Sequence, residues 1–321
     1  MVFIWRHNNV KMANANGWGD GASNNNIGWG KGADNAIGWG DIHADSYAGL
    51  TDIVGAVAFT GLLDTYSGAA VAYSLRQLRT AYSGNAIRVR RSSDNAEQDF
   101  GFVGNDLDTS SLLTFCGAGN GFVTTWYDQS GSANDATQST AANQAQIVSS
   151  GAMITDVDTS KITTTWTSDR YNLTTGIDPN TKYLSVSVAR RQTTSGILIG
   201  IGVDNTIGGT NGQSPLAWLA SGSLRGYMPS TVIHNTITTA DGYIITSEKN
   251  GSNLKTMYLN GSAQPTTATE APSAGNNINM FGKAGGNITL GQYQEYIYWN
   301  SEQSANRVGI ETDINTYWNA Y

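Results

Sequence analysis

The sequence has few of the residues that form disulfides or bind transition metals. Cys116 is the single cysteine among 321 residues, so no disulfide can form within the chain. Its place in an apolar segment favours a small buried side chain over a nucleophile. The histidines His7, His43 and His234 are far apart and lack zinc-ligand spacing. We therefore expect no metal site of this kind, while calcium stays open because Asp- and Asn-rich turns offer oxygen ligands.

Long apolar runs and charge are also scarce. No stretch approaches the roughly 18 apolar residues of a membrane span, and the opening MVFIWRHNNVKMANANG lacks the features of a secretory signal peptide. Only 13% of residues are charged and the net charge is −7, which argues against binding to nucleic acid or anionic lipid. Because phosphate-loop and dinucleotide fingerprints are missing as well, we expect no cofactor.

Short strands separated by turns dominate the pattern that is present. Candidate strands cover residues 86–91, 161–166, 183–190, 197–203, 216–220, 242–249, 255–259, 278–282 and 292–299. Apolar spacing predicts a helix over 67–82, a short helix that Asp108 caps and Gly117 ends, and a closing helix carrying Ile310, Ile314, Tyr317 and Trp318. This rhythm predicts a mainly β, antiparallel sandwich with a few short helices over residues 51–321.

The first fifty residues have a different composition, with three Gly-Trp-Gly copies in an Asn-rich setting. So much glycine opposes independent folding, which predicts an extended arm whose apolar side chains enter pockets on a partner. An arm that folds back on its own domain is the alternative. The predicted anchor residues are Trp18, Ile27, Trp29, Ile37 and Trp39. We expect a homo-oligomer assembled through this arm, a trimer before a pentamer.

The segment 121–138 (GFVTTWYDQSGSANDATQ) joins a strand rich in β-branched and aromatic residues to a polar loop. In such a loop, Asp128 can accept hydrogen bonds from backbone N–H groups two or three residues on. One interpretation is a rigid corner between strands, and the other is a saccharide-binding rim with a stacking ring and a polar anchor. The candidate carbohydrate-binding residues are Trp126, Tyr127, Asp128, Gln129 and Asn134.

The YDQSG motif and the Asn-Asp-Ala-Thr-Gln run resemble the catalytic domain of the α-L-arabinofuranosidase B family and related concanavalin-like sandwiches. The motifs YSLR at 73–76, AYSG at 81–84 and RVRRSSD at 88–94 extend the resemblance upstream. Proteins with this combination behind a Gly-Trp-Gly arm also resemble bacteriophage structural proteins. The resemblance implies a concanavalin-like or jelly-roll sandwich.

The same resemblance implies two catalytic positions. The acid of that family lies in a Gly-Gly-Asp-Asn turn, which corresponds here to residues 285–288 with Asn287 in place of the acid. Asn287 cannot act as a carboxylic acid. The nucleophile position corresponds to residues 202–205, where Asp204 is one carbon shorter than the family's Glu. The paired cysteines of that family are also missing, so the expectation is a scaffold without catalysis.

These observations favour a virion structural protein, a spike, head fibre or capsid decoration, made in a host cytoplasm and displayed on the virion surface. Its expected partners are a capsid or other virion protein, bound through the arm, and a host-surface glycan. The alternative is an extracellular glycoside hydrolase of the arabinofuranosidase type or its carbohydrate-binding module.

Overall fold

The structure is a computed structural model. It describes residues 59–167, 170–177, 182–191, 196–199, 201–202, 217–220, 223–227, 232–236, 242–264, 268–269, 278–282 and 291–321. Within it, Thr60–Tyr321 forms one compact unit. The five predicted anchor residues and the predicted domain boundary at residue 50 lie outside the described residues. The arm and the oligomer therefore stay predictions.

Antiparallel strands make up about half of the described chain. The first eleven are β1 Val71–Ser74, β2 Ile87–Arg91, β3 Glu97–Phe100, β4 Phe102–Val103, β5 Asp106–Leu107, β6 Gly121–Trp126, β7 Ala136–Thr137, β8 Gln146–Ser149, β9 Ala152–Met153, β10 Thr164–Trp166 and β11 Arg170–Ile177. The others are β12 Tyr183–Arg191, β13 Gly196–Ile199, β14 Ile201–Gly202, β15 Ala217–Ala220, β16 Ser223–Tyr227, β17 Val232–Thr236, β18 Gly242–Lys249, β19 Leu254–Leu259, β20 Ser262–Ala263, β21 Ala268–Thr269, β22 Ile278–Gly282 and β23 Gly291–Trp299. The mainly β prediction is confirmed.

Strand β23 lies in the middle of one set of strands, which we call sheet A. It pairs with β12 on one side and with β1 and β10 on the other. From β12 the sheet continues through β18 and β19 to β20 and β21. In β12, Leu184, Val186 and Val188 alternate with Ser185 and Ser187, as the sequence predicts for a strand with two distinct faces.

The second set, sheet B, runs from β3 through β2 and β6 to β7 and β8. It continues from β7 through β11 and β22 to β14, and β9 pairs with β8. A single pair of residues, Thr165 in β10 and Gln146 in β8, connects it to sheet A. Strands β13, β15, β16 and β17 form a separate four-stranded sheet, and β4 pairs with β5.

One hydrophobic cluster contains residues from both sheets. Trp166 lies at their junction, with its ring centroid 5.1 Å from that of Tyr171 in sheet B and 4.8 Å from that of Tyr293 in sheet A. Tyr73 of β1 donates a hydrogen bond to the carbonyl of Asn134, which follows β6, at 2.6 Å. The two sheets therefore share a core rich in aromatic rings.

In the described residues the helices are α1 Leu62–Thr65, α2 Thr109–Cys116 and α3 Arg307–Trp318, and a 3-10 turn covers Ala141–Asn143. The predicted cap of α2 is confirmed, because the Asp108 carboxylate accepts from the Ser111 N–H at 3.0 Å and Gly117 ends the helix. The predicted closing helix is confirmed as α3. It buries Ile310, Ile314 and Trp318 and contacts β12 and β18. In the described part, no helix is long and apolar enough to span a membrane.

The helix predicted over residues 67–82 is wrong. Val71–Ser74 forms β1, and all four of its side chains are buried. A short apolar stretch buried on both faces satisfies helical spacing as easily as it satisfies a strand. The other strand predictions agree with β2, β10, β12, β13 with β14, β15, β18, β19, β22 and β23.

Candidate functional site

Asp128 begins the loop that follows β6, and its carboxylate is enclosed by donors. Oδ1 accepts from the backbone N–H groups of Ala72 and Ser130, both at 2.9 Å. Oδ2 accepts from the Ser130 hydroxyl at 2.7 Å and from the Asn134 N–H at 3.0 Å. The side-chain turn that the sequence predicts is therefore confirmed, and the carboxylate also holds β1.

Gln129 and Asn134 point into the protein as well. Gln129 is fully buried, accepts from the Leu78 N–H at 2.8 Å and donates to the carbonyls of Ser74 and Arg76. The Asn134 amide exchanges two hydrogen bonds with the Thr175 backbone, at 2.8 and 2.7 Å. These two amides, like Asp128, join the loop to neighbouring segments of the chain.

Trp126 and Tyr127 differ in exposure. Trp126 is 0% exposed, so its ring has no free face for a sugar in this structure. Tyr127 is half-buried and donates its hydroxyl to Asp99 at 2.7 Å. Any stacking surface at this loop must then come from Tyr127, and saccharide binding by the five predicted residues stays a prediction.

Arg88 and Asp99 support the Tyr127 hydroxyl. Arg88 makes two hydrogen bonds to Asp99, at 2.7 and 2.8 Å, and Arg91 pairs with Asp94 at 2.7 Å. The hydrogen bonds from Arg88 lower the pKa of Asp99, so this carboxylate stays charged. Burial, aided by the hydrogen bond to Asp99, raises the pKa of Tyr127 to about 12.

Asp135 differs from Asp99, because its pKa is raised and not lowered. It accepts from the Asp128 N–H at 2.9 Å, and burial, with the nearby Asp128 charge, raises its pKa. Burial raises the pKa of Tyr82 to about 12, and Asp135 contributes to that shift and to the one at Tyr127. We call Tyr82, Tyr127 and Asp135 the tyrosine rim. All three groups have pKa values above their usual ones, so the Asp135 carboxyl holds a proton more readily than usual.

A buried charged centre, which no sequence pattern predicted, lies around Glu295. Glu295 of β23 accepts from Arg76 at 2.8 and 3.2 Å, from the Ser74 hydroxyl at 2.8 Å and from the Trp318 indole at 2.9 Å. Arg76 also pairs with Asp313 at 2.9 Å. A lone Glu in an aromatic strand indicates that a buried cationic partner is required. The sequence does not show which residue this is, because Arg76 lies 219 residues away. Because both carboxylate oxygens of Glu295 already accept hydrogen bonds, this residue is suited to a structural role.

The catalytic positions that the sequence resemblance implies, Asp204 and Asn287, lie outside the described residues. Among the residues that are described, no three His, Cys, Asp or Glu side chains come together as a metal-binding group. Cys116 is 4% exposed, which confirms the prediction of a buried thiol.

Residues 64–169 match the model of the family described as α-L-arabinofuranosidase B, catalytic. The chain resembles the catalytic domain of this family. The match spans the Arg76 segment, the tyrosine rim and the Asp128 loop, all of which the structure places around β1 and β6. No curated protein matches the sequence.

Solved arabinofuranosidases share the fold. One is an arabinofuranosidase complexed with arabinofuranosyl-α-1,2-xylobiose, with 16% identity and a TM-score of 0.63. Two others are a GH54 α-L-arabinofuranosidase soaked with a cyclic sulfate inhibitor, with 16% identity and a TM-score of 0.60, and a point mutant of a GH54 enzyme soaked with 4-nitrophenyl α-L-arabinofuranoside, with 17% and 0.61. Each alignment covers 78% of this chain but only 63% of the other.

These matches correct two predictions from the sequence. The virion interpretation, as spike, head fibre or capsid decoration, is wrong, because the family model and the structural neighbours are those of arabinofuranosidases. The expectation of no enzyme is wrong for the same reason. It relied on Asn287 at the acid position, on the shorter Asp204 and on the missing cysteines, and Asn287 and Asp204 both lie outside the described residues.

Proposed function

We propose that this chain is a glycoside hydrolase domain of the arabinofuranosidase type, which releases arabinofuranosyl units from a glycan. The match of residues 64–169 to the family's catalytic model carries the proposal. The sandwich that the chain shares with solved arabinofuranosidases supports it. The arabinofuranosyl ligands in two of those structures support this choice of substrate.

Glycoside hydrolysis needs two carboxyl groups, one that donates a proton to the leaving oxygen and one that attacks or activates water. We propose Asp204 as the attacking carboxylate, on the resemblance at residues 202–205. Asp135 is the rim carboxyl whose chemistry fits a proton donor, because burial raises its pKa. By contrast, Asp128 and Asp99 both have oxygens that accept several hydrogen bonds.

Hydrolysis of 4-nitrophenyl α-L-arabinofuranoside and of an arabinoxylan oligosaccharide tests this function. We expect turnover by the unmodified protein and its loss in Asp204→Asn. Because general acid catalysis contributes about 10²–10⁴-fold, Asp135→Asn should slow release from the oligosaccharide by about that factor. It should slow nitrophenol release much less, since that leaving group needs little protonation.

Asp94→Asn is the matched control, because Asp94 pairs with Arg91 on the surface and should leave both rates unchanged. Absence of turnover by the unmodified protein on both substrates would refute the proposed function. Equal slowing of both substrates by Asp135→Asn would remove Asp135 from the acid role while leaving the function in place.

A further inference from the structure

A cavity of about 280 Å³ lies apart from the tyrosine rim, where four distant segments of the chain meet. Its apolar lining comes from Leu75, Leu107, Ile162 and Trp318. Its polar lining comes from Asp106, Thr109, Ser160, Lys161 and Tyr317. At about 30 Å³ for each water molecule, the volume corresponds to roughly nine waters, which leaves room for one sugar ring.

The polar groups of this cavity are largely unused by the protein. Asp106 accepts from the Tyr317 hydroxyl through Oδ1, and its Oδ2 has no donor among the described residues. The Lys161 ammonium lies 4.1 Å from the centre of the Tyr317 ring, without a carboxylate or carbonyl partner in the described part of the chain. One acceptor and one strong donor therefore face a common space above an apolar floor.

The loop that carries Ser160 and Lys161 is held in place before any ligand arrives. The buried Asp156 accepts from the N–H groups of Asp158 and Thr159, at 3.0 and 2.9 Å, and forms an ion pair with the buried Arg190. Ser160 has a φ of +57°, in the left-handed region that is uncommon for residues other than glycine. This conformation belongs to the turn between Thr155 and Ile162, which pair antiparallel. A braced loop of this kind lowers the entropy that binding must overcome.

The charges around the cavity disfavour anions. Lys161 and Asp106 carry opposite charges, and Arg76, which lies 4.9 Å from the centre of the Tyr317 ring, pairs with Glu295 and Asp313. These five groups sum to one negative charge, so an anionic ligand is disfavoured. An apolar floor with a separate donor and acceptor instead suits a neutral ring that bears several hydroxyl groups.

We propose that this cavity is a non-catalytic binding site for one neutral saccharide unit. Lys161 donates to a hydroxyl oxygen, Asp106 accepts from a hydroxyl, and Leu75 with Leu107 contacts the C–H face of the ring. The site goes beyond the proposed hydrolysis, and only the choice of a pentose as probe rests on that function. It gives the domain a second contact with a polymer whose side chain occupies the active site.

Saturation-transfer NMR titrations with methyl β-D-xylopyranoside test the site, because an arabinofuranosidase does not cleave this probe. We expect a Kd in the millimolar range for the unmodified protein. Lys161→Met and Asp106→Asn should each raise it by roughly tenfold, as expected for loss of a hydrogen bond to a charged group. Both changes keep the fold-supporting contacts, since Met retains the apolar stem and Asn still accepts from Tyr317.

Lys182→Met is the control, because Lys182 is half-exposed and its ion pair with Glu302 spans 3.6 Å on a different segment. It should bind the xyloside as the unmodified protein does. Methyl β-D-glucuronide should bind more weakly than the xyloside, since it carries a negative charge. Arabinofuranoside hydrolysis should be unchanged in Lys161→Met.

Equal xyloside affinity in Lys161→Met, Asp106→Asn and the unmodified protein would overturn the proposal. Absence of binding by the unmodified protein at 100 mM xyloside, a concentration roughly a hundredfold above a millimolar Kd, would overturn it as well. Tighter binding of the glucuronide would show that the site prefers anions, and would also overturn it. If the xyloside responds as expected but no arabinofuranoside is cleaved, the saccharide site stands and the proposed hydrolysis fails.

Discussion

Replacing Asp128 by Ala leaves four hydrogen-bond donors without their carboxylate acceptor. This change is expected to destabilise the fold strongly. The N–H groups of Ala72 and Asn134 are buried where they meet Asp128. Each would lose its partner, at about 1–3 kcal/mol for a buried unsatisfied group. The Ser130 donors are partly buried and can turn to water. The expected loss is therefore about 2–6 kcal/mol, a large share of the roughly 5–15 kcal/mol that holds a typical domain folded.

Urea unfolding followed by tryptophan fluorescence measures this loss, and two variants calibrate it. Asp128→Asn keeps one acceptor oxygen, so its stability should fall between those of Asp128→Ala and the unmodified protein. Asp94→Ala breaks a surface ion pair with Arg91 and should leave the free energy of unfolding nearly unchanged. A free energy of unfolding for Asp128→Ala within about 0.5 kcal/mol of the unmodified protein, with an unchanged urea dependence, would refute the bracing role of this carboxylate.

Two further predictions concern α3 and its partners. Glu295→Gln should lower the free energy of unfolding by about 3–5 kcal/mol, because it leaves the buried Arg76 charge without a matching carboxylate. The double variant Glu295→Gln with Arg76→Met should lose less stability than Glu295→Gln alone. Equal losses in the single and double variants would contradict a buried ion pair. Burial raises the pKa of Glu311, so the unfolded chain releases this proton at a lower pH than the folded one. Protonated Glu311 therefore makes its full contribution to stability below the ordinary Glu pKa. This contribution is lost as pH rises through the pKa that Glu311 has in the folded protein. Glu311→Gln should flatten that decline in unfolding free energy, and an unchanged pH profile would contradict the assignment.

Local chemistry accounts for what the sequence predicted well. The Asp108 cap, the Asp128 turn and the strand β12 each depend on residues a few positions apart, so their patterns are visible in the chain. The apolar spacing of α3 is likewise a local signal. These elements fix the fold class and the loop that holds the tyrosine rim.

Long-range pairing accounts for the misses. Val71–Ser74 becomes a strand because β23 supplies its hydrogen bonds, and no helical or strand spacing within 67–82 could reveal that partner. Glu295 and Arg76 meet for the same reason. Trp126 looked available for stacking because an aromatic residue at a strand end has two faces, and only the packing of both sheets shows that it is fully buried.

The central place of β23 has a consequence for how the chain is made. Two neighbours of β23, β12 on one side and β1 on the other, are synthesised well before it, and Val71 pairs with Tyr298 across most of the domain. Until the ribosome has released Trp299, those two strands expose unpaired edges to solvent. Such non-local pairing slows folding and invites association between nascent chains. Translation speed and chaperone supply should therefore govern the yield of soluble protein more than the stability of the finished sandwich.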